Sequence, residues 1–163
     1  NHDEIRFWAD YIRGGPWSRY IYDDRGRRGG LRPGSDFVLA GDLNADPYDG
    51  DSHDHAVRQL LDHPRVDDRF VPASSGAVEA ARVQGGVNAE HHGNPAYDTA
   101  DFSDAAPDGP GNLRVDHVLP ARGELIVGGG VFWPRSDDPL SRLTGEYPFP
   151  GSDHRLVWLD LLR

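Results

Sequence analysis

The sequence predicts an α/β domain, with helices packed against the layers of a sheet. Apolar residues recur at helical spacing over residues 5–12, close to the start of the chain. A short apolar strand follows at 37–40, and residues 155–162 form a final strand with apolar residues on both faces. Helical and extended patterns therefore alternate along one chain, which is typical of a layered α/β architecture.

The first helix has recognisable start and stop signals. Asn1 is a good N-cap residue and Glu4 completes a capping-box pattern, while the run Gly14-Gly15-Pro16 ends the helix. The spacing predicts a second helix over about 54–62, which Pro64 stops. Trp8 is interpreted as a core residue of the first helix.

The middle of the chain is the least regular part. Residues 73–112 carry few large apolar residues and are predicted to form a functional or mobile loop. Within it, His91-His92 with Asp98 and Asp101 are interpreted as solvated loop residues, with contact to a substrate or metal as the alternative. A strand at 114–119 follows, and then two strand pieces at 125–127 and 131–133, which a run of glycines separates.

Composition excludes several classes of function. The chain has 163 residues, 17 basic and 27 acidic side chains and a net charge of −10, so nonspecific binding of a polyanion through a basic surface is disfavoured. Because cysteine is absent, disulfides, thiolate metal sites and cysteine nucleophiles are excluded. No apolar run approaches the roughly 20 residues that cross a bilayer.

The chain begins at Asn1 and contains no methionine, so we expect a processed or excised piece of a longer protein. The absence of cysteine and lysine, with this missing start, favours an extracellular or cell-surface location. Oligomeric state and parent architecture are left open by the sequence.

The first polar motif, Gly41-Asp42-Leu43-Asn44, directly follows the apolar strand at 37–40. In an extended chain Asp42 and Asn44 point the same way, at a strand end where sites on α/β folds tend to lie. The aspartate can take a proton from water and the asparagine can donate to a developing oxyanion. A simple polar turn is the alternative interpretation.

A calcium loop is a second alternative for this segment, because Asp42, Asn44 and Asp46 match the start of an EF-hand. The match fails further on, where Pro47 replaces the glycine at position six and His53 replaces the glutamate at position twelve. A calcium-binding extracellular module built on residues 42–54 by other means is kept as a hypothesis.

Two further motifs precede or occupy predicted strands. In Arg114-Val115-Asp116-His117-Val118-Leu119, Asp116 needs a partner if the strand is buried, since an unpaired buried carboxylate is costly. In Ser152-Asp153-His154-Arg155, the aspartate and histidine can serve as metal ligand and general acid. Alone, each motif is also compatible with a solvated strand edge or turn.

Taken in order, the three motifs resemble the C-terminal half of the endonuclease/exonuclease/phosphatase superfamily, the deoxyribonuclease-I-like metal-dependent phosphoesterases. The resemblance extends from about Phe37 to the C-terminus and implies the layered α/β sandwich of that superfamily. Only the C-terminal portion of the sandwich is expected here, so residues 1–163 are interpreted as one partial domain.

The resemblance also implies roles for five residues. Asp42 resembles the residue that orients or deprotonates the attacking water, and Asn44 resembles its neighbour that contacts the phosphoryl oxygens. Asp116 resembles the buried carboxylate that hydrogen-bonds the catalytic histidine, and His154 resembles that histidine. Asp153 resembles the acidic residue at the metal centre.

The sequence departs from the superfamily in its N-terminal half. The metal-binding Asn and Glu of that half, and a further His, cannot be assigned here, and Glu4 on the first helix is a poor match. The chain alone is therefore expected to lack a complete metal centre and to be inactive. Mg²⁺ is the expected metal, with Ca²⁺ and Mn²⁺ as alternatives, because oxygen ligands dominate.

The function implied is divalent-metal-dependent hydrolysis of a phosphoester by attack of water on phosphorus. The net charge of −10 favours a small phosphoester or phosphodiester over DNA, and a nuclease remains an alternative. A noncatalytic binding domain on the same scaffold is the other alternative.

Overall fold

Helices and strands alternate along the chain and confirm the predicted α/β class. The computed structural model describes residues 1–105 and 109–162. The helices are α1 (His2–Arg13), α2 (Arg58–Leu61), α3 (Ser75–Gln84) and α4 (Ser141–Thr144). The strands are β1 (Val38–Asp42), β2 (Ala100–Asp101), β3 (Asn112–Leu113), β4 (Asp116–Pro120), β5 (Leu125–Val131) and β6 (Val157–Leu162). None of the helices described in these ranges is long and apolar enough to cross a membrane.

The strands described here pair antiparallel, β1 with β4, β2 with β3 and β5 with β6. In the first pair Val38 lies opposite Pro120, and Asp42 at the end of β1 lies opposite Asp116 at the start of β4. Strand β4 also packs beside β6. This register brings the polar residues that end β1 to the point where β4 begins.

The main core lies between α1, α2 and one face of the β1–β4 pair. Residues that are 2% exposed or less fill it from both sides: Ile5, Ile12, Ala56, Val57, Leu60, Val66 and Leu119. Burial of these aliphatic side chains is the main term that stabilises α1 against the sheet. Trp8 is 43% exposed, so its prediction as a core residue was wrong. It lies beside the apolar stripe, against Phe7 and Tyr11.

One face of β6 is uncovered. Exposure alternates along this strand, and Trp158 is 39% exposed and Leu162 59% exposed. Leu162 pairs with Leu125 of β5, which is 56% exposed, and Leu156 just before β6 is 69% exposed. Asp160 is exposed on the same face between Trp158 and Leu162, so these apolar side chains surround one carboxylate. Clusters of exposed apolar side chains are typical of interaction surfaces.

The segment 73–112 is more regular than predicted, because it contains α3, β2 and β3; its residues 106–108 lie outside the described residues. The Ser74 hydroxyl caps α3 by accepting hydrogen bonds from the N–H groups of Gly76 and Ala77. The helix was missed because its buried side chains are small, Gly76 and Ala77, and give a weak apolar period.

Two other boundaries also differ from prediction. The helix predicted over 54–62 is split into a 3₁₀ turn, His53–His55, and the short α2, because Asp54 and His55 adopt positive φ angles of 49° and 47°. In place of the two predicted strand pieces at 125–127 and 131–133, one strand, β5, runs from Leu125 to Val131 and includes the glycines between them, while residues 132 and 133 lie outside it. Its glycines make room for a neighbour, since a Cβ on Gly130 would lie 2.7 Å from the Trp158 ring.

We expect Gly76→Ala to destabilise the protein, because the added Cβ would lie 2.0 Å from the backbone oxygen of Trp133. Overpacking of this kind costs about 1–3 kcal/mol of the free energy of unfolding. Gly151→Ala is the matched control, since a Cβ there meets no atom within 4 Å. Urea denaturation of both variants measures the difference. Equal stability of the two would show that α3 does not pack on the Trp133 backbone.

Candidate functional site

Three side chains from separate parts of the sequence converge at the junction of β1 and β4. Asp42 ends β1, Asp116 begins β4, and His154 comes from the segment before β6. One carboxylate or imidazole atom from each lies within 4.8 Å of the others. Asp42 is exposed, whereas Asp116 and His154 are half-buried. We call these three residues the acid–histidine cluster.

Within this cluster, His154 is held by a hydrogen bond to Asp116. The Nδ1 atom of His154 lies 2.9 Å from the Oδ2 atom of Asp116. Because a carboxylate oxygen accepts, the imidazole donates from Nδ1, and its Nε2 atom is left to face a ligand. Phe102 lies edge-on to the imidazole, with ring centroids 5.5 Å apart, and restricts its rotation.

The hydroxyl of Thr99 fixes Asp116 in turn. It donates to Asp116 Oδ2 over 2.9 Å and accepts the backbone N–H groups of Val115 and Asp116, at 3.0 and 2.9 Å. The backbone oxygen of Thr99 also accepts the N–H of Arg155, next to His154, at 2.8 Å. Thr99 is 1% exposed, so these contacts are shielded from water and hold both partners of the pair rigidly.

Asn44 lies beside the cluster and orients Asp42. Its backbone N–H donates to Asp42 Oδ1 over 2.7 Å, in a turn where Asn44 adopts a left-handed φ of 46°. Asparagine tolerates this conformation better than most residues. The side chain of Asn44 is exposed, two residues beyond Asp42. Asn44 therefore lies in a turn and not in the extended chain in which the two side chains were expected to point the same way, and its backbone contacts Asp42.

Asp153 is adjacent to His154 in the chain but is not part of the acid–histidine cluster. Its backbone oxygen accepts the N–H of Asp101, at 2.9 Å, and its side chain faces a neighbouring cleft. Of the five residues singled out in the motifs, three converge, Asn44 flanks them, and Asp153 lies one residue away on the cleft side.

A buried arginine anchors the turn that carries His154. The guanidinium of Arg155 donates to Asp101 Oδ2 at 3.0 Å and to the backbone oxygen of Ser152 at 2.8 Å. It also stacks on the rings of Trp133 and Phe149, with its Cζ 4.4 and 5.1 Å from the ring centroids. Burial lowers the pKa of Arg155, which the charge of Asp101 opposes. The same burial raises the pKa of Asp101.

The donor set of the acid–histidine cluster suits a divalent cation. It offers carboxylate oxygens and an imidazole nitrogen, and Asp42 Oδ1 already accepts one backbone N–H, which leaves its other oxygen free to ligate. Magnesium takes about six ligands, so waters, substrate oxygens or other side chains would complete the shell. The fit is to a hard cation; it does not select one metal.

The aspartates of residues 42–54 are used differently from calcium ligands. Asp46 accepts the backbone N–H groups of Tyr48, Asp49 and Arg114, and Asp49 accepts those of His92 and Gly93. Within the described ranges, the acid–histidine cluster is the group that brings potential metal ligands together, and Asp42 is its one member from this segment. The hypothesis of a calcium module on residues 42–54 gains no support from this geometry.

Asp98 is the most strongly perturbed acid of the region. It is 6% exposed, and burial, with the charges of Asp46 and Asp49 nearby, raises its pKa to about 8. Asp98 is therefore protonated at neutral pH. Its interpretation as a solvated loop residue was wrong, and so was that of Asp101, which is 7% exposed and paired with Arg155.

Sequence reasoning missed Thr99 and Arg155 as parts of the site. The alternation Thr99-Ala100-Asp101-Phe102 is the one local sign of an extended segment, and it is too short to separate from a loop. Arg155 stands inside the third motif, but nothing in its neighbours indicates that a guanidinium would be buried. Both roles depend on contacts across the fold.

We expect Asp98→Asn to raise the melting temperature at pH 7.5 and to leave it almost unchanged at pH 4. The Asp98 carboxyl has a pKa of about 8 in the folded protein and 3.8 in the unfolded chain, so the free energy of unfolding of the unchanged protein falls as the pH rises through that window. The reason is that the unfolded chain releases this proton at a lower pH than the folded protein does, which costs up to about 1.4 kcal/mol per pH unit. Melting curves of both proteins across this range measure the effect. Parallel curves would contradict the raised pKa.

Comparison with known proteins adds one positive finding. The sequence model of the Endonuclease/Exonuclease/phosphatase family matches residues 3–154, which is most of the 163-residue chain and includes the first two motifs and Ser152-Asp153-His154 of the third. No curated protein and no solved structure matches the chain. The matched span begins in α1 and ends at His154, so it contains every residue of the acid–histidine cluster. The chain belongs to the Endonuclease/Exonuclease/phosphatase family.

Proposed function

We propose that this protein takes part in divalent-metal-dependent hydrolysis of a phosphoester. The observation that carries the proposal is the acid–histidine cluster, with His154 held by Asp116 and Asp116 held by Thr99. Family membership supports the general reaction, and the cluster supplies an exposed carboxylate and a fixed imidazole where one substrate can meet both. The residue roles below belong to this proposal.

Asp42 orients and deprotonates the attacking water. Its carboxylate is exposed at the end of β1, and the N–H of Asn44 fixes one of its oxygens. A carboxylate in fixed orientation is effective as a base because little motion is needed to reach the reactive geometry. Asn44 then donates its side-chain amide to a phosphoryl oxygen, where charge builds as the water adds.

His154 stabilises charge on the scissile phosphate through Nε2. With Nδ1 donating to Asp116, the ring is held in one orientation and its Nε2 is directed to the phosphate. An imidazole held in this way can hydrogen-bond a phosphoryl oxygen and can act as a general acid toward the departing alkoxide. Asp116 acts as a positioning residue in this arrangement, and Thr99 keeps it in place.

A divalent cation bound here would supply Lewis-acid polarisation of the phosphoryl group. Asp42 is the exposed carboxylate of the cluster that can hold it, and Asp153 is proposed as a further ligand from the cleft side. Mg²⁺ is the proposed metal because hard oxygen donors dominate this donor set, and Ca²⁺ or Mn²⁺ are the alternatives.

The proposed substrate is a small phosphoester or phosphodiester, in preference to DNA. The chain carries a net charge of −10. A protein that follows a nucleic acid strand normally presents a stripe of basic residues to the phosphates. The one basic cluster in the sequence, Arg25, Arg27 and Arg28, lies in the loop before β1, and Arg27 is paired with Asp23. A nuclease is the alternative that the substrate panel below tests.

We further propose that residues 1–163 are one part of a larger phosphoesterase domain, at or outside the cell surface. The uncovered apolar face of β6 supports this, because a partner sheet packed there would bury Trp158, Leu156 and Leu162. That partner would also supply the remaining metal ligands. The chain by itself is then expected to turn over substrate slowly or not at all.

We expect His154→Ala to abolish Mg²⁺-dependent hydrolysis with little loss of stability. The panel is a generic phosphodiester, a phosphomonoester, a phospholipid and plasmid DNA. Removal of a fixed charge-stabilising group typically lowers the rate about 100- to 1000-fold. If the chain alone is inactive, the same panel is run on a polypeptide extended upstream. Unchanged turnover in the variant would contradict the assignment of His154 as the charge-stabilising residue. Faster cleavage of plasmid DNA than of the other substrates would favour a nuclease.

Asp116→Asn should also lower the rate while the protein stays folded. The amide keeps the size of the side chain but is a weaker acceptor for the Nδ1–H of His154, so the imidazole should lose its fixed orientation and its ring resonances, followed by NMR, should shift. Asp23→Asn is the matched control, because Asp23 pairs with Arg27 in the loop before β1 rather than with the cluster. Full activity and unshifted imidazole resonances in Asp116→Asn would show that the pair has no role.

A further inference from the structure

A large cleft adjoins the acid–histidine cluster. It has a volume of about 1280 Å³ and lies between α3 and residues 133–153. Two of its lining residues reach the cluster, Asp153 as the chain neighbour of His154 and Phe102 through its edge-on contact with the imidazole. A phosphoester bound at His154 therefore has this cleft as the space next to its phosphate.

The cleft presents four aromatic rings, two of which are held in place by Arg155. Phe102, Trp133, Tyr147 and Phe149 all line it. Trp133 and Phe149 are held from one side by the buried guanidinium of Arg155. Tyr147 lies edge-on to Phe149 at 6.2 Å between centroids and is 87% exposed. Rings that are already ordered lose little entropy when a ligand stacks on them.

The charges around the cleft disfavour an anionic occupant. The lining residues that the structure describes include five carboxylates, Glu79, Asp101, Asp104, Glu146 and Asp153, and the guanidinium of Arg142. Glu79 is paired with Arg135 and Asp101 with Arg155, which leaves three carboxylates against one guanidinium in the described lining. Strands of nucleic acid bind where several Lys or Arg side chains follow the phosphates. This wall would repel a second phosphate group, whereas it places no penalty on an uncharged group.

Resting on the proposed phosphoester hydrolysis, we infer that this cleft binds the organic arm of the phosphoester, and that the arm is an uncharged apolar or aromatic group. The cleft is larger than most pockets for small ligands, which span about 300–1000 Å³, so it has room for a bulky arm. An arm of one or more rings, or a branched hydrocarbon, would fit there. The phosphate stays at His154 and the arm stacks on Phe102 and Tyr147.

Phosphonates test this inference, because each carries one arm and its C–P bond is not hydrolysed. The ligands are methylphosphonate, benzylphosphonate and 4-carboxybenzylphosphonate, titrated calorimetrically in Mg²⁺. We expect benzylphosphonate to bind about two- to tenfold more tightly than methylphosphonate, the factor that one aromatic contact supplies. The added carboxylate should reverse that gain. Equal affinities for the methyl and benzyl compounds, or no binding of the benzyl compound, would overturn the inference.

Tyr147→Ala localises the effect. The ring is 87% exposed, so its removal should leave the fold intact. It should also lower the ratio of the affinities for benzylphosphonate and methylphosphonate toward one. Tyr22→Ala is the matched control, since Tyr22 is 70% exposed and lies in the loop before β1, outside the cleft lining. Loss of the preference in the Tyr22 variant, or its persistence in the Tyr147 variant, would overturn the assignment of the arm to this cleft.

The two proposals fail in different ways. Hydrolysis of phosphoesters without any preference among arms would overturn the cleft inference and leave the proposed function standing. A benzyl preference that depends on Tyr147, with no hydrolysis by the chain or by an upstream-extended polypeptide, would contradict the proposed function and leave the cleft as a binding site.

Discussion

The antiparallel register of β1 with β4 is the constraint on which the candidate site depends. Because Asp42 lies opposite Asp116, the end of one strand and the start of the other place two carboxylates at one edge of the sheet. A shift of one residue would turn one of these side chains to the opposite face. The register is fixed by burial, since Leu39 and Leu119 on the other face pack into the core with α1 and α2. Aliphatic packing thus sets the geometry of the polar edge.

His154 is positioned at that edge by a second contact, the buried ion pair between Arg155 and Asp101. Taking two charges out of water is unfavourable, and the pKa of each group shifts toward its neutral form on burial. The cost is offset by two hydrogen bonds from the guanidinium and by the rings of Trp133 and Phe149 that cover it. What the pair secures is position, because Arg155 follows His154 directly and its backbone N–H is bonded to Thr99. A hydrophobic side chain could fill this space, but it would not tie Ser152, Asp101 and the aromatic wall to one point.

Local patterns predicted much of this structure, and contacts across the fold account for the rest. The helical period and the glycines after it gave α1 closely, and apolar runs indicated β1, β4 and β6. The motif residues Asp42, Asp116 and His154 were singled out before any geometry was known. Helix α3 was not predicted because its buried residues are small and leave little hydrophobic signal; Gly76, which has no side chain, packs against the backbone of Trp133. Thr99 and the burial of Asp98 escaped for another reason, since each is defined by atoms distant in the sequence, which no single-segment pattern contains.

The excess of aspartate, 22 of the 27 acidic residues, has a structural explanation beside its functional one. Many of these carboxylates accept backbone N–H groups in turns, as Asp23, Asp42, Asp46, Asp67 and Asp138 do. Aspartate suits that task because its short side chain reaches the N–H groups two or three residues onward. A chain with short helices and two- to seven-residue strands leaves many N–H groups outside ladders, and these carboxylates bond several of them. Their charge accumulates as a consequence. The net charge of −10 therefore follows in part from how the loops are held, whatever role the charge has beyond that.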